Sequence, residues 1–346
     1  MNAPRMDALF VDAPQAAPLI AVEHVSRRFV RRLNYAERIA GWLGANVSEQ
    51  TVYAVDQVSL TIHRGEVVGL VGESGCGKST LGRMLAGIVQ PSDGRIQTYE
   101  ADSTPPTNQP TRHRLATQMV FQDPLSSLNP RKRVRDIIGE APLVHGIVAR
   151  RHLDDYVVEV MQRVGLNPDF RQRFPHQFSG GQRQRIGIGR ALAVKPDFLI
   201  CDESIAALDV SIQAQIINLF MQLRRDLGLT YLFISHDLGV VEHISDRVAV
   251  MYLGRIVETA PTETLFANPQ HPYTIALLEQ VPRLSNRKRR FESIKGEIPS
   301  PLSPPEGCHF HPRCPHAMPR CRVERPVLRA TGTAHQTACH LMPEAQ

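Results

Sequence analysis

The sequence predicts an α/β fold built on a largely parallel sheet, and three observations carry that prediction. Short apolar runs alternate with stretches of helical spacing, the pattern of strands joined by crossover helices. One run, Val67 to Val71, passes through the loop Gly72-Glu73-Ser74-Gly75-Cys76-Gly77-Lys78-Ser79-Thr80 into Leu81, Met84, Leu85 and Ile88 at helical spacing. Several other runs end in polar clusters, as expected where ligands gather at the carboxyl ends of parallel strands.

Leu19 to Phe29 and Val52 to Ile62 read as strands, the second alternating apolar and polar residues. Between them, Val30 to Gln50 is Arg-rich with a helical character around Tyr35 to Leu43, and reads as an insertion in a hairpin. After the glycine loop and its helix, Pro91-Ser92-Asp93-Gly94 is a turn and Arg95 to Tyr99 a strand. Ala101 to Thr111, rich in Pro and Thr, is a surface loop. Met119 to Asp123 is a short strand with a polar end, and Val134 to Phe174 turns helical, with Ile137, Ile138, Val157, Val160, Met161 and Val164 as its apolar face. Phe178-Ser179-Gly180-Gly181-Gln182 opens a second helix that runs to about Val194. Phe198 to Cys201 is a buried strand ending in Asp202-Glu203, and Ala214 to Leu227 is a helix. Tyr231 to Ile234 is a strand running into Ser235-His236-Asp237, and Val248 to Tyr252 with Arg255 to Glu258 form a closing hairpin.

Composition bounds the class. The 346 residues, 42% hydrophobic and 21% charged, suit a soluble globular chain of one large domain plus an appendage. No apolar run approaches the roughly 18 residues that a membrane span requires. Met1 to Pro18 is Ala/Pro-rich without a continuous apolar core, so it reads as a flexible lead-in and not as a secretory signal. The net charge of +6 gathers in Arg27, Arg28, Arg31 and Arg32, in Arg131, Lys132, Arg133 and Arg135, and in Arg287 to Arg290. Such patches suit anionic headgroups, nucleic acid or simply solvent. No nucleic-acid motif or interleaved aromatics accompany them, so nucleic acid is not expected as a partner.

The glycine loop matches the P-loop pattern G-x-x-x-x-G-K-[ST]. Gly72, Gly75 and Gly77 let backbone N–H groups turn toward phosphate oxygens, and the helix N-terminus that begins near Lys78, Ser79 and Thr80 adds partial positive charge. Lys78 is expected to reach the β- and γ-phosphates and the Ser79 hydroxyl to bind Mg²⁺. Asp202, at a strand end, suits Mg²⁺ held through water, and Glu203 suits a general base in line with the γ-phosphate.

In this order and context the chain resembles the ATPase subunits of ABC transporters, over about residues 19–280. The resemblance rests on the P-loop, Gln122, Ser179-Gly180-Gly181-Gln182, Asp202-Glu203, Asp209 and His236. Ser-Gly-Gly-Gln about 20 residues before an apolar run and Asp-Glu is its most specific part. It implies a P-loop NTPase core of the ABC ATPase type, with a helical subdomain at about 123–178 that docks on a permease. It also implies roles: Gln122 senses Mg²⁺ and water, His236 contacts the γ-phosphate, and Asp209 serves the loop beyond the catalytic pair. Ser179, Gly180, Gly181 and Gln182 close over ATP held by a partner subunit. Phe29 resembles the aromatic that stacks on adenine, with Tyr53 as its competitor. One departure stands out: where the family often reads Pro-Thr-Ser-Ala-Leu-Asp, this chain has Ser204-Ile205-Ala206-Ala207-Leu208-Asp209, which puts the hydrolysis rate in question.

The last part narrows the resemblance. Asn268-Pro269-Gln270-His271-Pro272-Tyr273-Thr274 and the small Cys-rich extension 281–346 are similar to those of dipeptide, oligopeptide and nickel importers. The implied function is an ATPase at the cytoplasmic face of the inner membrane that powers peptide uptake. Its implied partners are a second ATPase subunit, two permeases and an extracytoplasmic binding protein. Nickel or another small solute is the alternative cargo; a soluble ABC protein or a nucleotide-dependent regulator is the alternative class. Four of the six cysteines, Cys308, Cys314, Cys321 and Cys339, lie in the last 39 residues with the spacing C-x5-C-x6-C-x17-C. The lack of a close pair argues against zinc, and four thiolates are what a [4Fe–4S] cluster requires, as the importer subfamily implies. Zinc with some of His309, His311, His316 or His340, and free thiols, stay open.

Overall fold

The computed structural model describes residues 18–31, 33, 37, 42, 49–99, 115–123, 127–206, 208–280 and 296–342. The lead-in 1–17, most of the 30–50 insertion, the 101–111 loop and Arg287 to Arg290 lie outside them. Eleven strands are seen among these residues, in two sheets. The smaller sheet is antiparallel: β1 (Pro18–Arg31) lies between β2 (Gln50–His63) and β4 (Asp93–Thr98). The larger sheet is centred on β3 (Val67–Val71), which pairs in parallel with β7 (Thr230–Ile234) on one side and β8 (Arg247–Tyr252) on the other. β7 continues in parallel to β6 (Phe198–Asp202) and then β5 (Thr117–Val120).

Every residue of β3, β6 and β7 is buried, as apolar runs without alternation require of strands covered on both faces. Their side chains nonetheless sort by the two-residue period of a strand. Val67, Leu199, Tyr231 and Phe233 enter one core with the helices, whereas Val68, Ile200, Leu232 and Ile234 enter the other with β1, β2 and the P-loop helix. The helices stop and start where local chemistry dictates. α1 (Lys78–Leu85) begins after Gly77, and α5 (Val210–Leu227) ends at Gly228 in the left-handed conformation. Helix α6 (Leu238–Ile244) is capped by the Asp237 carboxylate, which accepts the Gly239 and Val240 N–H groups.

Between β5 and β6 the chain is helical: α2 (Val134–Val144), α3 (Leu153–Arg163) and α4 (Gly180–Leu192), with short turns at Pro168–Gln172 and Pro175–Gln177. α3 buries Leu153, Val157, Val160 and Met161 on one stripe, each worth about 1.5–3 kcal/mol of burial. The periodicity expected of 134–174 is thus met by two helices, with Gly165 just past the second.

The tail does not stand apart from the sheet. β9 (Arg255–Pro261) pairs with β8, and after α7 (Thr262–Ala267), α8 (Pro272–Glu279) and α9 (Pro319–Val323) the chain returns as a hairpin, β10 (Arg329–Gly332) and β11 (His335–Thr337). β11 pairs with β9, so the eight-stranded order is β10-β11-β9-β8-β3-β7-β6-β5. The appendage expected from the sequence is in part an extension of the main sheet. Its lock is Glu258 on β9, fully buried, which accepts the Gln270 N–H at 2.8 Å, the His271 N–H at 2.9 Å and pairs with His335 Nε2 at 2.7 Å.

Candidate functional site

Because β3, β5, β6 and β7 are parallel, their carboxyl ends open on one edge of the sheet. The P-loop follows β3, Gln122 follows β5, Asp202 ends β6 with Glu203 beyond, and His236 follows β7. The polar clusters noted in sequence therefore converge by topology.

The P-loop turns tightly. Gly72 and Gly77 have φ values of 152° and 106°, and a Cβ on them would overlap the carbonyl oxygens of Met251 and Ala54. Lys78 is only 4% exposed, and its Nζ donates to the carbonyls of Gly72 at 2.8 Å and Glu73 at 3.0 Å. The ammonium thus lies across the mouth of the loop. Gly75 takes a positive φ of 79° with open space around it, and Thr80 is half-buried at the start of α1.

Ser79 Oγ donates to Asp202 Oδ1 at 2.7 Å. Burial pushes the Asp202 carboxyl up, only partly opposed by the Ser79 hydrogen bond and the charges of Arg83 and Lys78. A buried carboxylate short of positive charge beside a hydroxyl is a fitting place for Mg²⁺, which takes hard oxygen donors. One residue on, the Glu203 carboxylate accepts from Gln122 Nε2 at 3.0 Å and lies 3.5 Å from His236 Nδ1. Glu203 itself has φ 46°, uncommon for a residue with a side chain, and its N–H is fixed on the Ile234 carbonyl at 3.0 Å. Gln122, Glu203 and His236 are thereby brought together.

Ser179 to Gln182 occupy another place. Ser179 caps α4, and Gln182 returns its side chain to the Ser179 N–H at 3.1 Å, a reciprocal capping box. Gly180 and Gly181 lie against Leu208 and Ile212, and among the described residues none of the hydrogen bonds of 179–182 reaches the P-loop. Asp209 precedes α5 and is exposed, with Val210 beside it 81% exposed. In the departure from the family pattern, Ser204 and Ile205 are both buried, so this turn is anchored in the core.

Of the two aromatics, Phe29 lies on β1 opposite Val52 with the Arg27 guanidinium 4.6 Å from its ring centre. Tyr53 is on β2, next to Ala54, whose carbonyl abuts Gly77 of the P-loop. Its N–H donates to the Pro301 carbonyl in the tail at 3.0 Å.

In the tail, Cys308 N–H donates to the Cys321 carbonyl at 2.9 Å. All four tail cysteines are free of disulfides. Burial pushes the Cys308 thiol up to about 11, with Cys321, Cys339 and Cys314 adding to the shift. Among the described residues, no three His, Cys, Asp or Glu side chains come together as a metal-binding group. The donor set fits a four-thiolate site in kind and number; a closed site is not formed.

Sequence reasoning missed Glu73, Arg313 and Glu258. Glu73 fills an unspecified position of the P-loop, and its carboxylate accepts from Arg313 of the tail, 240 residues on. Glu258 is a lone carboxylate on a strand, at the same two-residue period as Ile256 and Ala260. No local signal marks either partnership.

The chain matches the family model described as ABC transporter over residues 55–206, and that of the oligopeptide/dipeptide transporter C-terminal region over 257–321. It is 51% identical over 295 residues to the oligopeptide transport ATP-binding protein AppF of Bacillus subtilis, covering 84% of this chain and 90% of that protein. With the oligopeptide transport ATP-binding protein OppF of Salmonella typhimurium it shares 48% over 296 residues, covering 84% and 88%. Among solved structures, cbiO1 of Clostridium perfringens, part of the ABC transporter complex cbiONQ, superposes with a TM-score of 0.58 at 28% identity, covering 72% of this chain and 91% of that one.

Proposed function

This chain belongs to the ABC transporter family, in the oligopeptide and dipeptide branch of its ATP-binding proteins, and from that premise we propose how its residues divide the work. It is an ATPase whose hydrolysis of ATP to ADP and phosphate drives peptide import. The observation that carries the residue assignments is the Glu203 carboxylate, held between Gln122 and His236 and next to the Ser79–Asp202 pair.

The N–H groups of Gly75 to Thr80 and the Lys78 ammonium grip the phosphates once Lys78 leaves the Gly72 and Glu73 carbonyls. Ser79 and Asp202, with Gln122 nearby, hold Mg²⁺, which supplies charge neutralisation at the phosphates. Glu203 accepts the proton of the attacking water, and His236 steadies both that carboxylate and the γ-phosphate. Tyr53, one residue from the P-loop contact, is the better platform for adenine than Phe29. Ser179, Gly180, Gly181 and Gln182, with Asp209, serve the nucleotide of a second ATPase subunit.

Two substitutions test this. Lys78→Ala is expected to weaken MgATP binding by about a hundredfold or more, while Glu203→Gln keeps binding and lowers hydrolysis about a hundred- to ten-thousandfold, since an amide cannot take the proton. Ordinary turnover by Glu203→Gln in the assembled transporter excludes Glu203 as the base.

Membrane permeases are partners of this family. The fuller assembly proposed here has two ATPases, two permeases and an extracytoplasmic binding protein, with this chain peripheral on the cytoplasmic face. Among the described residues no helix is long and apolar enough to cross a membrane. The cargo is peptide; nickel or another solute is the alternative, and uptake of labelled peptide but not of nickel by the assembled transporter is the expected result that tests it.

For the tail, the proposal is a structural [4Fe–4S] cluster on Cys308, Cys314, Cys321 and Cys339, supported by four thiols free of disulfides, the donor kind and number that such a cluster requires. Hydrolysis needs no electron carrier, so its role is to tie the loops together. Anaerobically purified protein is expected to be brown, with iron and acid-labile sulfide at about four each per chain. Colourless protein with one zinc, or with no metal, removes the cluster.

A further inference from the structure

The stem of the P-loop is held from outside by the C-terminal tail. Glu73, directly after Gly72, is fixed at three groups, its N–H, its carbonyl and its carboxylate. Its N–H donates to Tyr273 Oη at 2.8 Å, its carbonyl accepts Lys78 Nζ at 3.0 Å, and its carboxylate accepts Arg313 Nη1 at 2.6 Å and Nη2 at 3.0 Å. The last is a bidentate fork, the geometry that fixes direction as well as distance. Arg313 has little freedom to act otherwise. Its side chain is 4% exposed and, among the described residues, its Nε has no hydrogen-bond partner and its one further side-chain hydrogen bond is to Tyr252 Oη at 3.4 Å. Its Cζ lies 5.9 Å from the Tyr252 ring centre, and Tyr252, Tyr273 and Phe310 pack on one another with ring centres 4.7–5.4 Å apart. The Arg313 N–H is itself tied to the Phe310 carbonyl at 3.0 Å. A second stretch of tail, Ile298 to Pro301, walls a cavity of about 280 Å³ against Glu73 to Cys76.

A buried guanidinium whose carboxylate partner, the only one among the described residues, is in the P-loop couples the two strongly, because moving either leaves the other charge unpaired. Lys78, whose reach toward phosphate begins from the Glu73 carbonyl, shares that anchor. We propose that Arg313 is a positioning residue of the nucleotide site: through Glu73 it sets the stem of the P-loop, so that the C-terminal tail tunes affinity for MgATP. This rests on the P-loop reading given above, and it makes the tail part of the ATP site's architecture. A tail displaced from the core lets Glu73 go, and the triphosphate is then held less well.

The test is a double-mutant cycle on the full chain, with MgATP binding measured by calorimetry and melting temperature recorded on the same samples. Glu73→Gln and Arg313→Gln are each expected to weaken MgATP about tenfold, and the double variant no further than the weaker single one. Arg313→Lys, which keeps the charge and loses the fork, is expected to fall between wild type and Arg313→Gln. A purely structural pair lowers the melting temperature and leaves the affinity of the folded fraction alone. If Arg313→Gln does not fold, Glu73→Gln and Arg313→Lys decide. Folded Glu73→Gln with wild-type affinity overturns the proposal, as does a double variant whose loss is the product of the two single losses. Lys78→Ala separates the two levels: if wild type and Lys78→Ala bind MgATP alike, the P-loop reading fails and this inference with it. If Lys78→Ala loses binding while both Glu73→Gln and Arg313→Lys keep it, only the positioning role fails.

Discussion

His271 is wholly enclosed, and burial holds its imidazole down, from the ordinary 6.5 to about 3, with a hydrogen bond to the Ala338 backbone pulling weakly the other way. The neutral ring is put to use: Nδ1 accepts the Tyr273 N–H at 3.0 Å at the start of α8, and the His271 N–H is bound to Glu258. Between about 6.5 and 3 the unfolded chain holds a proton that the native chain does not. The stability from the neutral ring is therefore complete above 6.5 and falls as pH drops toward 3. His271→Asn keeps an acceptor for the Tyr273 N–H and removes the titration. Unfolding free energies from urea titrations should then fall less steeply below about pH 6.5 for the variant, by up to about 1.4 kcal/mol per pH unit. Parallel pH profiles for the two proteins would show that His271 carries no such linkage.

At the level of elements, what was legible in the sequence is what short-range chemistry determines. The β3–P-loop–α1 unit follows from an apolar run, glycines and helical spacing, all within about twenty residues. The helix opening at Ser179 follows from Ser and Gln three apart, and β8 and β9 from apolar runs around Leu253-Gly254, where both residues take positive φ. Boundaries moved where tertiary pairing extends a strand or helix: β1 runs two residues past Phe29, and α5 starts at Val210 because Asp209 breaks the backbone there. The tail hairpin was not legible. Arg329–Gly332 and His335–Thr337 carry little apolar alternation, and they become strands because β9 offers them an edge. The lock on that edge, Glu258 with His335 and the two N–H groups of 270 and 271, joins residues up to 77 positions apart. The Glu73–Arg313 fork spans still more of the chain. Motif reading found the site's chemistry and left its scaffold unseen, because the scaffold is made of long-range pairs of ordinary charged residues.

Taken as a whole, the molecule gathers its candidate ATP-site residues in two separate places. The P-loop, Asp202, Glu203, Gln122 and His236 gather at the carboxyl edge of the sheet, while Ser179 to Gln182 sit on α4 against Leu208 and Ile212. The N-terminus of α4 suits phosphate, yet its Gly180 is exposed and bonded to none of the P-loop residues described. Asp209 and Val210, both exposed at the adjoining turn, extend that surface. On the proposed reading, each place is a half-site that a second ATPase subunit completes, so that ATP would become part of the interface and its hydrolysis would loosen it. The isolated chain is then a poor ATPase whose specific activity rises with protein concentration. Adding a second ATPase subunit and the permeases should raise it by at least about tenfold, since positioning at the reacting atoms is what the missing half supplies. Ser179→Arg leaves this chain's own P-loop intact, so it should bind MgATP normally and fail to stimulate a partner. Turnover per chain that is full and unchanged across a hundredfold dilution, in a sample shown by light scattering to be monomeric, would falsify the shared site.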